Sequence, residues 1–255
     1  MAEIAIFKLY MLVVARFGGM MVSAPLLGAR NFPTVAKIGV TALTALLLTP
    51  VLAPLKADLP DDAVSYALMA SGELLVGIAI GFVMTLLFAA VQLGGQIMDL
   101  QTGFGMMNVF NPAFESQFPI FGFFLFIVAV LYLLVSGGHR DMIRALAATY
   151  DHIPPGGFVV RRELMWEVAT WGRHMFVDGL MISAPVATAM VLAYATLGLL
   201  NRAIPQMHLF VIGFPITIAS GLFVTALSLG VYADLLDGMF VHMFEDVGTL
   251  IRGLG

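Results

Sequence analysis

Residues 63–98 read AVSYALMASGELLVGIAIGFVMTLLFAAVQLGGQIM. This run decides the fold. It has no proline and a single carboxylate, Glu73. An unbroken apolar run of this length is a helix, and it exceeds the roughly 20 residues that cross a bilayer at right angles. Such a helix is apolar all round, so it is covered by lipid or by other helices. Gly72, Gly77 and Gly81 stand four or five apart and allow another helix to come close. Glu73 sits among them and needs a donor from a packed neighbour, either in a structural ion pair or in a proton relay. Gln92, Gln96 and Asp99 are spaced four and three, which puts them on one face. Gly94 and Gly95 lie between the glutamines, where a second backbone could approach. That stripe faces a partner helix or water, because lipid would not tolerate it.

The rest of the chain repeats this character. Of 255 residues, 60% are hydrophobic and 11% charged, and the mean hydropathy is +0.99. Soluble domains carry about 25% charged residues. The formal net charge of −4 gives no basic footprint for nucleic acid. No cysteine is present, which excludes disulfides and thiolate metal sites. Apolar segments are expected at about 4–24, 34–53, 63–98, 118–136, 174–200 and 206–233, with a short amphipathic helix closing the chain. The first is expected to be a retained helix, since it lacks a basic leader and a small-residue cleavage site. The connection 137–173 carries Arg140, Arg144, Arg161, Arg162 and Arg173 and is expected to hold two short helices. The positive-inside rule assigns it to the cytoplasm, and counting simple spans then places both termini inside. Asn201 to Pro205 form a tight turn, so the flanking segments should pair as an antiparallel hairpin.

Residues 103–112 read GFGMMNVFNP. Gly103, Phe104, Gly105, Met106, Met107, Asn108, Val109, Phe110, Asn111 and Pro112 are too apolar for a solvated turn and too broken for a helix interior. By residue type alone the stretch is either a packed helix–helix connection or a movable apolar seal.

Charges inside apolar segments are costly, so each one counts. Lys8 can snorkel from near a helix end. Arg16 lies deeper and calls for a buried partner. The histidines, at 139, 152, 174, 208 and 242, show no metal-ligand spacing. No GxSxG, P-loop or HExxH motif occurs, and no enzyme activity is expected.

The string LLNRAIPQMHLFVIGFPITIASGL, residues 199–222, resembles the FliR family, the R-type export-gate subunits of the bacterial flagellar type III secretion apparatus. The matching residues are Arg202, Pro205, Gln206, Phe210 and Gly213-Phe214-Pro215. ARFGGMMVSAPLLG, GELLVGIAIGF and GGQIMDLQTGFGMMNVFNP agree in the same order, so the resemblance covers essentially the whole chain. His208 stands where the family usually has asparagine, and Asn111-Pro112 where Asp-Pro is frequent. Gly-Phe-Pro favours the flagellar branch over the related injectisome subunits.

The resemblance implies an all-α, hydrophobic subunit of kinked helices and hairpins, like a P-type and a Q-type subunit joined. It implies a single export-gate domain over 1–255, with a P-like part at about 1–173 and a Q-like hairpin plus C-terminal amphipathic helix at about 174–255. It implies assembly with P-type and Q-type subunits, work alongside the flagellar A-type and B-type export proteins, and passage of unfolded substrates. The location implied is the inner membrane and flagellar basal body, largely on the periplasmic side. The loop at about 103–114 would plug the pore, while Arg16, Glu73, Gln92, Gln96, Asp99, Arg202, Pro205 and Gln206 would be subunit contacts or buried polar groups. No cofactor or metal is implied. From residues alone, a small-molecule transporter with a polar site near Glu73, Gln92, Gln96 and Asp99 stays open.

Overall fold

A computed structural model of the chain describes residues 2–25, 28, 33–52, 59–105, 119–162, 164–204 and 209–255. The described residues are almost entirely helical. In chain order the helices are α1 (Ala2–Ser23), α2 (Thr34–Leu52), α3 (Ala63–Thr102), α4 (Ile120–Val135), α5 (Gly138–Ala148), a 3-10 turn (Thr149–Asp151), α6 (Leu164–Ala203) and α7 (Leu209–Leu254). The fold is all-α and apolar, as the composition requires. Five of these helices are long and apolar enough to cross a membrane, or six if the bent pair α4–α5 counts as one.

Local chemistry explains the boundaries. Asp62 caps α3: its carboxylate accepts the Ser65 amide at 2.8 Å. Bonds from the Ser65 hydroxyl and amide hold the Asp62 carboxyl below its ordinary range. Gly137, with φ of 78°, turns the chain between α4 and α5, which bend by 69°. Helix α6 begins at Leu164, not near 174; no proline lies between those positions, and Gly172 alone does not end the helix. The expected second short helix of the arginine-rich connection is therefore the first turns of α6. The C-terminal amphipathic stretch is likewise not separate. Residues 230–240 contain no proline, and α7 runs 46 residues without interruption. Pro185 and Pro215 both lie inside continuous helices.

Two compact units make up the chain. The first comprises Met1–Leu87, Leu133–Gly172 and Val241–Gly255; the second comprises Phe88–Tyr132 and Arg173–Phe240. In the first, α1 and α3 press backbone to backbone. A side chain at Gly19 would strike the Leu74 carbonyl, one at Gly77 the Arg16 carbonyl, and one at Gly81 the Ser23 hydroxyl. Thr85 ties the same pair by donating to the Ser23 carbonyl at 2.7 Å. Leu12, Phe17, Met20, Ile80, Met84 and Trp171 fill the core beneath. Helix α2 packs on α1 and leaves Val35, Leu47 and Val51 largely exposed. The end of α7 is pinned by the 159–161 segment, whose Val159 and Arg161 amides donate to the Leu254 and Gly253 carbonyls, both at 3.1 Å.

The second unit has its own core of Phe121, Leu125, Ile182, Val186, Met190 and Leu236. Phe88 meets Phe126 and Phe240 edge-on at 5.7 and 6.2 Å, and Tyr132 stacks on Phe240 at 5.7 Å. Here too glycines set the spacing: a Cβ at Gly94 would lie 2.8 Å from the Gly179 carbonyl, joining α3 to α6.

Charges outside these cores contribute little. Lys8 reaches Asp61 at 2.9 Å, but the aspartate side chain is fully in solvent. Asp61→Asn is expected to leave the melting temperature of the purified protein unchanged, because exposed pairs are screened and entropically costly to hold.

Candidate functional site

Arg16 and Glu73, singled out separately by sequence, meet in the first unit. The Arg16 side chain is fully buried and Glu73 is 1% exposed. The guanidinium grips the carboxylate in a fork, with Nε to Oε2 at 2.6 Å and Nη2 to Oε1 at 3.0 Å. Two of its three other N–H protons go to the Thr149 hydroxyl at 2.7 Å and the Ile153 carbonyl at 3.0 Å. The Tyr150 ring covers it, 3.9 Å from guanidinium carbon to ring centroid. Glu73 also accepts the Gly156 amide at 2.9 Å. Gly156 has φ of 82°, the left-handed region that suits glycine, and it packs on Met69. The network thus joins α1, α3 and the turn after α5. Glu73 is consumed structurally and is closed to water, as an ion pair rather than a relay.

Asp99 takes a different role in the second unit. It is 5% exposed, and its two carboxylate oxygens accept the amides of Phe121 at 3.1 Å and Gly122 at 3.3 Å. Those are first-turn amides of α4, which have no partner inside their own helix. Asp99 therefore caps a helix other than its own, and its charge suits the positive end of the α4 dipole. Gln92 and Gln96 remain exposed on α3. The polar stripe divides: Asp99 is spent inside the unit, and the two glutamines face outward, available to water or a partner subunit.

The same end of α3 carries the start of the apolar loop. Gly103 has φ of 95°, and an added Cβ would lie 2.8 and 2.9 Å from two carbons of the Phe214 ring. The Thr217 hydroxyl donates to the Thr102 carbonyl at 2.9 Å, satisfying a C-terminal group of α3. Phe104 meets Phe121 edge-on at 5.6 Å. A Cβ at Gly105 would lie 3.2 Å from the Leu100 side chain. Met106, Met107, Asn108, Val109, Phe110, Asn111 and Pro112 lie outside the described residues, as do Pro205 and Gln206. Arg202 is exposed in the last turn of α6, where a cation complements the helix dipole. A Cβ at Gly213 would lie 3.7 Å from the Leu197 side chain, an ordinary contact between α7 and α6, and residues 205–208 of the turn lie outside the described residues.

Sequence reasoning missed Thr149, Tyr150, Ile153 and Gly156 as partners of the ion pair; the glycine of the Pro-Pro-Gly-Gly turn was the available signal. It also missed that Phe214 and Thr217 meet the loop base. A transporter site at Glu73, Gln92, Gln96 and Asp99 finds no support, since the two carboxylates are each consumed by groups of their own unit. Among the described residues no three histidine or acidic side chains gather as a metal site.

Long apolar helices, glycine-spaced contacts and buried polar groups satisfied within each unit define an all-helical, strongly apolar protein whose helices are long enough to cross a membrane. Residues 7–243 match the family described as Bacterial export proteins, family 1. The chain belongs to that family, in its FliR branch. It is 30% identical to the flagellar biosynthetic protein FliR of Escherichia coli (strain K12) over 247 residues, covering 97% of this chain and 94% of that protein. It is 27% identical to FliR of Bacillus subtilis (strain 168), covering 99% and 98%. A secretion system apparatus protein of Salmonella typhimurium, SsaT, is 30% identical over 58% of each chain. These relatives are named for flagellar biosynthesis and secretion, not for a catalysed reaction.

Proposed function

We propose that this chain is a structural and gating subunit of the flagellar type III protein export gate, forming part of the pore for unfolded substrates and contributing the apolar loop 103–112 as its plug. The observation that carries the reading is that a 40-residue helix ends at buried Thr102 and leads through Gly103, Phe104 and Gly105 into the apolar stretch of the sequence, in a member of this family. At about 1.5 Å per residue, α3 is about 60 Å long, twice the roughly 30 Å hydrocarbon core. A helix so long, belonging to one unit up to Leu87 and to the other from Phe88, suits a shell of subunits better than a set of simple spans.

In this reading the partners are several P-type and Q-type subunits, with residues 1–173 in the P-like role and 174–255 in the Q-like role. The A-type and B-type export proteins act beside the complex. It sits in the inner membrane and basal body, mostly toward the periplasm. The exposed apolar rows, such as Leu43 and Leu47 on α2 and Phe223 and Leu227 on α7, would be covered by neighbouring subunits or lipid. Gln92, Gln96 and Arg202 would meet partners or water. Methionine and phenylalanine seal an irregular gap well, because they are large and, for methionine, unbranched and polarizable. An apolar constriction excludes ions by dewetting.

Deleting residues 106–112 is expected to leave the complex assembled and to raise its ion leakage many-fold in reconstituted vesicles. Unchanged leakage from a correctly assembled deletion complex removes the plug assignment.

A further inference from the structure

We infer that the outer face of α2 is covered by lipid acyl chains and not by a partner subunit. The inference deepens the gate reading, on whose membrane location it rests, by naming what covers one of the exposed apolar rows. Helix α2 belongs to the first unit and packs on α1. It turns Thr41, Ala45, Thr49 and Leu52 inward. The Tyr10 hydroxyl of α1 donates to its Ala42 carbonyl at 3.4 Å. Outward it presents Val35, Ile38, Leu43, Leu46, Leu47 and Val51, all 60–82% exposed.

Three observations select lipid as the occupant. The first is length. Helix α2 has 19 residues, about 28 Å at about 1.5 Å per residue, against a hydrocarbon core of roughly 30 Å. The sequence carries no charge between Lys37, in the first turn, and Lys56. The second is polar satisfaction. The hydroxyls of Thr41, Thr44 and Thr49 each donate to the carbonyl four residues back in α2, at 2.8, 2.7 and 2.7 Å. Hydrocarbon offers no partner to a polar group, so each must be satisfied internally, and these are. The third is composition. Protein interfaces favour aromatic residues, methionine and arginine. Helix α2 contains none of these, whereas α6 and α7 expose Phe176, Met181, Tyr194 and Phe223. A row of valine, isoleucine and leucine alone suits acyl chains. Subunit contacts then fall to other helices of the chain.

The test uses the full chain, purified with whatever subunits accompany it and placed in phosphatidylethanolamine–phosphatidylglycerol vesicles. The chain has no cysteine of its own, so Val35→Cys, Leu43→Cys, Leu47→Cys and Val51→Cys each give one site for a nitroxide label. These positions are exposed, and the substitutions are mild enough to preserve the fold. The readouts are label mobility and collision with two relaxing agents: oxygen, which concentrates in the bilayer, and a water-soluble nickel chelate. Labels at 43 and 47 are expected to be mobile and several-fold more accessible to oxygen than to the chelate. The ratio should fall toward 35 and 51, at the two ends of the helix. Immobile labels at 43 and 47, shielded from both agents, mean that protein covers the row and overturn the inference. High chelate access at the same positions means water and overturns it too. The two readings fail separately. Shielded labels in a complex with several copies of two other apolar subunits remove the lipid assignment and leave the gate. Lipid-exposed labels on a folded chain that purifies alone remove the gate and leave the lipid assignment.

Discussion

Glu73→Ala is expected to abolish most of the folded protein, and to do so more severely than removing Arg16 and Glu73 together. The single substitution leaves a fully buried guanidinium with no counter-charge. Breaking a buried pair in this way costs about 3–5 kcal/mol, a large share of the roughly 5–15 kcal/mol that stabilises a folded domain. The double change Arg16→Met with Glu73→Leu removes both charges at similar volume, which is often close to neutral. Here it retains a smaller cost. The Ile153 carbonyl and the Gly156 amide lose their partners, at roughly 1–3 kcal/mol for each buried group left unpaired. Thr149 keeps its bond to the Leu146 carbonyl at 2.6 Å and is less affected. The measurement is the yield and melting temperature of detergent-extracted protein across the four members of the cycle. A double variant as damaged as the sum of its singles contradicts the pairing.

Gly77→Val is the second large effect. A Cβ at Gly77 would lie inside the van der Waals surface of the Arg16 carbonyl oxygen and within 2.9 Å of the Met20 amide nitrogen. Both obstacles are backbone, so no rotamer change relieves them. The α1 and α3 backbones would have to part, and the Arg16–Glu73 fork spans the same gap one turn away. Loss of close packing and loss of the ion pair then arrive together. No folded protein is expected to be recovered from Gly77→Val, and Gly77→Ala should already be severely impaired. Gly238 is the control: it lies in α7 with nothing within 4 Å of an added Cβ. Gly238→Ala should be neutral or slightly stabilising, since alanine costs less backbone entropy in a helix. Equal expression and melting of the Gly77→Ala and Gly238→Ala proteins would contradict the α1–α3 contact.

Much of this was legible in the sequence, and the boundary is physical. Apolar runs and the GxxxG-like spacing of α3 announced long helices with close neighbours. The cost of burying Arg16 and Glu73 announced that each needed a partner, but spacing along the chain says nothing about which groups 57 residues apart will meet. Thr149 and Ile153 were invisible because a hydroxyl and a carbonyl in a polar connection are ordinary. The unbroken α7 was missed for a simple reason: hydropathy falls after residue 233 and suggests an end, yet a helix ends at a breaker or a cap, not at a change of solvent. Asp99 was grouped with Gln92 and Gln96 by periodicity. Its real partner, the start of α4, is set by the tertiary approach of Gly95 to Gly122, which periodicity cannot report.

The proposed function requires this chain to work within a hetero-oligomeric gate. Native mass spectrometry of the complex extracted with this chain as the tagged component tests it most directly. The expected species is an assembly containing this chain together with several copies each of two other small, strongly apolar proteins. A monodisperse, folded species made of this chain alone would contradict it.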